Sequence, residues 1–217
     1  MNPDPKATGK GMFRTQTSLV LASGSPRRRE LLAGLGLDFS VHPALAPEPE
    51  FLFGTDPEVF AVTTAKAKAR EVAALHPKAV VLAADTIVVL EGDVLGKPEG
   101  PRAAQAMLER LAGRRHVVIT GCCLRIPAGG EEHDFAVRTA VWMRDFGPAF
   151  LAAYAATGEP LDKAGAYGIQ ERAACLVERI EGSYTNVVGL PLGEVVELLL
   201  SRSVIAPTMP PPRSPTG

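Results

Sequence analysis

The chain has 217 residues, 46% of them hydrophobic, with 23 basic and 24 acidic side chains and a formal net charge of −1. That length suits one domain with ragged ends, and it can bury roughly 70% of the unfolded surface without disulfides or metals. Interspersed, balanced charges give no footprint for nucleic acid or an anionic membrane; no apolar run approaches the roughly 20 residues of a bilayer span, and the polar N-terminus lacks a signal peptide's apolar stretch.

In chain order, residues 1–16 carry Gly, Pro and Lys without periodicity and read as a flexible extension. Residues 18–22 (SLVLA) form a short apolar strand ended by a Ser-Gly-Ser-Pro turn signal. Ser25 then suits an N-cap and Pro26 a first helical position for a helix over 27–33, stopped by Gly34 and Gly36. A helix rich in Ala and Lys follows over 56–75. A buried strand over 79–84 continues through 86–90 to the turn Glu91-Gly92-Asp93. Residues 101–112 read as a helix with Gly113 placed to cap it.

Two long strands, 115–126 and 132–144, flank Pro127-Ala128-Gly129-Gly130 and predict a hairpin, so the sheet is mixed. Helices over 148–157 and 192–201 complete the body. The last dozen residues hold five prolines and little that could pack. The expected organisation is a flexible extension over 1–16, one domain over 17–203 and a disordered Pro-rich tail over 204–217. The fold class is α/β, an elongated mixed β-sheet flanked by helices. Cys122, Cys123 and Cys175 lack CxxC spacing and read as buried thiols of a reducing compartment, the adjacent pair pointing to opposite strand faces. His42, His76, His116 and His133 show no triad or metal spacing and read as surface or turn residues.

Three clusters carry chemistry. In Ser23-Gly24-Ser25-Pro26-Arg27-Arg28-Arg29, glycine lets a ligand approach the backbone, the helix start offers unpaired amides, and arginines supply forked donors for phosphate oxygens. A solvated basic first turn is the bland alternative, although arginine there opposes the helix dipole. In Ala83-Ala84-Asp85-Thr86, a carboxylate leaves a buried apolar strand, which is costly unless it is hydrogen-bonded, paired or bound to a cation. Asp85 is therefore a candidate metal ligand or base, with the capping of a turn as the alternative. Lys97, in Gly96-Lys97-Pro98, either aims at a phosphate or faces solvent. Residues 159–170 (EPLDKAGAYGIQ) are dense in small residues without periodicity and read as a shaped loop, and 183–191 (SYTNVVGLP) has similar character. Glu48 and Glu50 sit in a Pro-rich loop. Phosphate-binding GxxxxGK[ST], nucleophile-elbow GxSxG and zinc-binding HExxH patterns are all missing from the sequence.

Taken together in this order, LASGSPRRRELLAGLG, AADTIV, GKP, EPLDKAGAYGIQ and GSYTNVVGLPL resemble the Maf family of nucleotide pyrophosphatases, over residues 19–199. The resemblance implies a fold related to the inosine triphosphate pyrophosphatases, cleavage between the α- and β-phosphates, a divalent metal (Mg²⁺ or Mn²⁺), a cytoplasmic location and a homodimer. It is strongest to the subgroup acting on dTTP and UTP, whose discriminating positions fall on Arg27, Thr86 and Gln170. It assigns the proton acceptor to Asp85 and places Ser23, Ser25, Arg28, Lys68, Lys97, Asp162 and Lys163 around the substrate. Metal would bridge phosphate oxygens and Asp85 or Glu48. The family's acidic pair departs here: Pro47 stands on the first acid and Glu48 on the second. Thr63 replaces a usual Arg, and Glu171 a usual Gly. Two other function classes are weighed against hydrolysis. One is a nucleotide-binding regulator of cell division with little catalysis; the other is a nucleic-acid-binding module, which lacks a basic stripe and interleaved aromatics.

Overall fold

Among the residues that the computed structural model describes (11–45, 49, 51–52, 54–127 and 129–208), nine strands and six α-helices alternate. They are β1 (Phe13–Thr15), β2 (Leu19–Leu21), α1 (Pro26–Gly34), β3 (Ser40–Val41), α2 (Pro57–Leu75), β4 (Val80–Leu90), β5 (Asp93–Leu95), α3 (Pro101–Leu111), β6 (Arg115–Arg125), β7 (Glu132–Met143), α4 (Pro148–Ala156), β8 (Val177–Glu181), α5 (Tyr184–Val188), α6 (Leu192–Ser201) and β9 (Ile205–Pro207). Three short 3₁₀ turns fill the stretch between α4 and β8.

The main sheet runs β3-β2-β4-β6-β7-β8, with β5 also paired to β4. β2 lies parallel to β3 and β4, whereas every other pairing is antiparallel, so the sheet is mixed. β4 is its spine. Its run VVLAADTIVVL is buried almost throughout, as expected of a strand covered on both faces. On one edge β6 pairs with it continuously from Val81 to Val89. On the other edge β2 covers only Leu82 and the two residues before it, and β5 only Val88 to Leu90. Residues 83–87 therefore have a strand partner on one side only, among the described strands. That gap is where a cavity opens.

Strand alternation divides the core. Val81, Ala83 and Cys123 face α2, with Ala65, Ala69 and Val72. Leu82, Ala84 and Cys122 face α1 and α6, with Leu32, Val195 and Leu199. The adjacent cysteines thus point to opposite faces, and burial pushes both thiols up to about 12. Towards the far end, Val88, Leu90, Val118 and Met143 pack with α3, α4 and the 3₁₀ turns.

Docking of α2 is close because its stripe is small. Ala61, Ala65 and Ala69 are all fully buried. Opposite Asp85 in the β4–β6 register stands Gly121, and a Cβ there would collide with the α2 backbone at Ala61 and Val62. At its far end α2 is tied to the β6–β7 hairpin through Glu132, which accepts from Arg70 (2.7 Å twice) and Arg125 (2.6 Å).

Several expectations need correction. β1 and β9 form a two-stranded antiparallel ribbon, so the folded body extends past the boundaries drawn at 17 and 203. Residues 1–10 and 209–217 of the expected extension and tail lie outside the described residues. The SYTNVVGLP stretch contains a helix, capped by Ser183 Oγ accepting from the Asn186 amide. Cys175 is exposed rather than buried. His116 is buried rather than on the surface or in a turn; it pairs with the Tyr167 hydroxyl at 2.7 Å beneath the 162–170 loop.

Two measurements follow. Gly121→Ala should lower unfolding free energy by about 1–3 kcal/mol, the usual cost of overpacking; an unchanged urea midpoint would contradict the close docking of α2. Burial, with Arg115 adding to it, holds the His116 pKa down to about 4, so the native form is neutral. Its stabilising contribution is complete above the unfolded value of about 6.5 and is lost as pH falls from there towards 4, a loss of up to about 3 kcal/mol. The stability gap between the unsubstituted protein and His116→Phe should therefore narrow between pH 7 and pH 4. A constant gap in urea unfolding would refute this.

Candidate active site

The gap at β4 opens into a cavity of about 670 Å³. Its walls come from the β2–α1 turn, α2, β4, the segment after β5, the 162–170 loop and the end of α5. Eleven of the twelve residues proposed from the sequence lie on it; the twelfth, Glu48, is outside the described residues.

Asp85 and Thr86 are neighbours on β4, so alternation sends them to opposite faces of the sheet. Asp85 emerges on the α2 side. Its Oδ1 accepts from Lys68 Nζ at 2.7 Å, and both side chains are largely withdrawn from solvent. Lys68 belongs to the same helical face as Ala61, Thr64, Ala65 and Val72, an otherwise apolar stripe. A lysine in that stripe is explained by its partner, since either charge left alone would be costly to bury.

Thr86 emerges on the other side, against α1 and α5. Its Oγ1 accepts from Arg28 Nη2 at 2.9 Å and contacts Thr120 Oγ1 at 2.9 Å. Arg28 also donates from Nε to the Gly189 carbonyl (2.7 Å) and from Nη1 to Ser23 Oγ (3.0 Å). The α1 N-terminus is set by Ser25, whose Oγ accepts from the Arg28 amide, with Pro26 next as the sequence predicted. Of the two arginines it is Arg28, not Arg27, that touches Thr86. Arg27 lies about 100° further round the helix and reaches across the cavity to Asp162 at 3.1 Å.

Residues 162–170 form the opposite wall. Lys163 is buried, and its Nζ is held by the Glu159 carbonyl (2.7 Å), Asp162 Oδ1 (2.8 Å) and Glu171 Oε1 (3.3 Å). Partial burial pulls the Asp162 pKa upward, but Lys163 and Arg27 outweigh it and leave the carboxyl below its ordinary value. Lys163 and Asp162 thus brace the loop onto α1. Gly165, at a φ of +68°, lies so close to Val88 that a Cβ would be 2.9 Å from it, which seats the loop on β4. Glu171, where the resemblance showed a usual Gly, is part of this brace.

Two predicted residues stand apart from these networks. Lys97 and Gln170 line the cavity, are exposed, and make no hydrogen bond or ion pair among the described residues. Among the described residues, five cations on the wall (Arg27, Arg28, Lys68, Lys97, Lys163) face two anions (Asp85, Asp162), an excess suited to a polyanion.

Some lining residues were not predicted. Phe60, Ile87 and Val94 give the cavity an apolar flank, and Thr64 is buried with no partner for Oγ1 among the described residues. Phe60 and Thr64 sit eight and four residues before Lys68, so helical spacing alone could have found them.

The model of the Maf-like protein family matches residues 18–202. The chain is 50% identical over 203 residues to the dTTP/UTP pyrophosphatase of Nitratidesulfovibrio vulgaris, covering 94% of this chain and 96% of that one. It is 55% identical over 183 residues to the dTTP/UTP pyrophosphatase of Moorella thermoacetica (84% and 94% covered). With the dTTP/UTP pyrophosphatase of Myxococcus xanthus it shares 52% over 188 residues (87% and 94% covered).

Proposed function

The chain belongs to the Maf-like protein family, and on that premise we propose that it is a nucleoside triphosphate pyrophosphatase hydrolysing dTTP and UTP to the monophosphate and pyrophosphate. The observation that carries this reading is the largely buried Asp85–Lys68 pair in a cavity whose described lining has an excess of cations. The relatives' activity favours it over a nucleotide-binding regulator without catalysis.

Asp85 is the general base in this mechanism. Lys68 holds Oδ1 and orients the carboxylate, leaving Oδ2 to take the proton from the attacking water. Lys97 and Arg27 meet the triphosphate and offset the charge that grows on the leaving pyrophosphate. Arg27 would exchange part of its pairing with Asp162 for phosphate. Arg28, anchored to Ser23 and Gly189, acts on the Thr86 side of the gap. Thr86 and Gln170 read the base.

Among the described residues no three His, Cys, Asp or Glu side chains form a metal cage. The donors do fit Mg²⁺ or Mn²⁺, which bind through one or two carboxylates together with substrate phosphates. Asp85 would hold the ion, with Glu48 as the second carboxylate, and the ion would supply charge neutralisation at the phosphates. A homodimer and a cytoplasmic location complete the proposal. No helix among the described residues is long and apolar enough to cross a membrane.

Pyrophosphate release from dTTP, UTP, CTP, 7-methyl-GTP and ITP, with Mg²⁺ or Mn²⁺, tests the reading. Selective cleavage of dTTP and UTP is expected; equal cleavage of all five, or tight binding without product, would defeat it. Lys97→Ala should reduce kcat/KM for UTP by about 10- to 100-fold, the worth of one charge-assisted hydrogen bond, without lowering the melting temperature. A change under twofold would remove Lys97 from the substrate.

A further inference from the structure

We propose that Thr120, which does not line the cavity, sets the hydrogen-bond polarity of Thr86 and through it the preference for uracil and thymine over cytosine. The inference rests on the pyrimidine triphosphate reading above, with Thr86 at the base.

Thr120 is fully buried in β6, directly opposite Thr86 in the sheet register. A hydroxyl has one proton to donate and two lone pairs to accept with. Arg28 has only donors, so its Nη2 contact at 2.9 Å makes Thr86 Oγ1 an acceptor. At the other end of the chain of contacts, the Asn186 carbonyl has only lone pairs, so Thr120 Oγ1 donates to it at 3.2 Å. With its one proton directed there, Thr120 meets Thr86 at 2.9 Å as an acceptor, and Thr86 must be the donor.

The proton of Thr86 therefore points away from the cavity, and what the cavity receives is a lone pair. Reversing the chain would leave the Thr120 and Asn186 oxygens 3.2 Å apart with no proton between them. The Gly189 carbonyl, 3.3 Å from Thr86 Oγ1, is a longer and weaker acceptor for that proton than Thr120 at 2.9 Å. With one lone pair on Arg28 and the proton on Thr120, Thr86 keeps its second lone pair for substrate.

The anchor of this chain is rigid. Asn186 is fully buried, and its Nδ2 donates to the Val118 carbonyl (3.2 Å) and Thr139 Oγ1 (2.9 Å), tying α5 to β6 and β7. Uracil and thymine carry a proton on N3, and an acceptor satisfies it. Cytosine has a lone pair at N3, and two acceptors facing each other in a desolvated site are repelled. Thr86 makes the contact; Thr120 is the positioning residue that decides which bases satisfy it.

The test compares kcat/KM for UTP and CTP in the unsubstituted enzyme, Thr120→Val and Thr120→Ser, with melting temperatures alongside. Valine keeps the shape and removes the oxygen, so the Thr86 proton is held only by the longer Gly189 contact and can turn towards cytosine N3. The UTP:CTP ratio should fall about tenfold in Thr120→Val, mainly through a rise for CTP, and return in Thr120→Ser. General loosening of the fold would lower both substrates together and leave the ratio alone. An unchanged ratio in a folded Thr120→Val, or an equal loss in Thr120→Ser, overturns the inference. Should the valine variant fail to fold, Thr120→Ala carries the same expectation. A lack of UTP preference in the unsubstituted enzyme would instead overturn the substrate reading, and this inference with it.

Discussion

Everything at the site depends on β4 being paired unequally along its two edges. β6 runs beside it without interruption, which keeps the strand straight and its register fixed. The partners on the other edge, β2 and β5, stop short of one another and leave residues 83–87 uncovered there. A cavity can open at that edge without unravelling the sheet. Because neighbouring strand residues face opposite ways, one dipeptide serves two environments: Asp85 looks towards α2 and a lysine, Thr86 towards α1, α5 and an arginine.

The electrostatics of the two sides differ accordingly. On the α2 side the largely buried Lys68–Asp85 ion pair is set on a small-residue helix face, and packing brings it together, because Gly121 lets α2 approach β4. On the other side neutral groups help to hold the charge in place. Arg28 donates to two hydroxyls and a carbonyl, and these contacts orient it. The 162–170 loop takes a third course. Arg27, Lys163, Asp162 and Glu171 neutralise one another there, and an incoming triphosphate would compete with acids already in place. Lys97, outside these arrangements, has no partner among the described residues that a ligand would need to displace.

Much of this was legible in the chain, for identifiable reasons. Long apolar runs reveal β4, and caps reveal α1, because both signals are local. A carboxylate in the middle of such a run marks Asp85 for the same reason. Short or tertiary-dependent elements were not legible. α5 is five residues containing Thr and two Val, poor helix formers; it exists because Asn186 is buried beneath it. β8 reads VERIE and has too much charge to stand out as a strand. β1 and β9 are three residues each and are strands only through one another. Within the site, family resemblance set Arg27 with Thr86 and Gln170 and gave Arg28 a place around the substrate, but which arginine touches Thr86 depends on helix phase, and it is Arg28. Nor does anything near Thr120 in the sequence disclose that it faces Thr86, since that depends on the register of two strands far apart in the chain.

The central claim is that Asp85 is the base of the reaction and not simply the counterion that lets Lys68 be buried. Asp85→Asn tests it most directly, with pyrophosphate release and UTP binding measured on the same preparation. A base predicts that turnover falls by about 100- to 10,000-fold while UTP still binds and the protein still melts cooperatively. A folded Asp85→Asn variant that releases pyrophosphate at a near-normal rate would contradict the account.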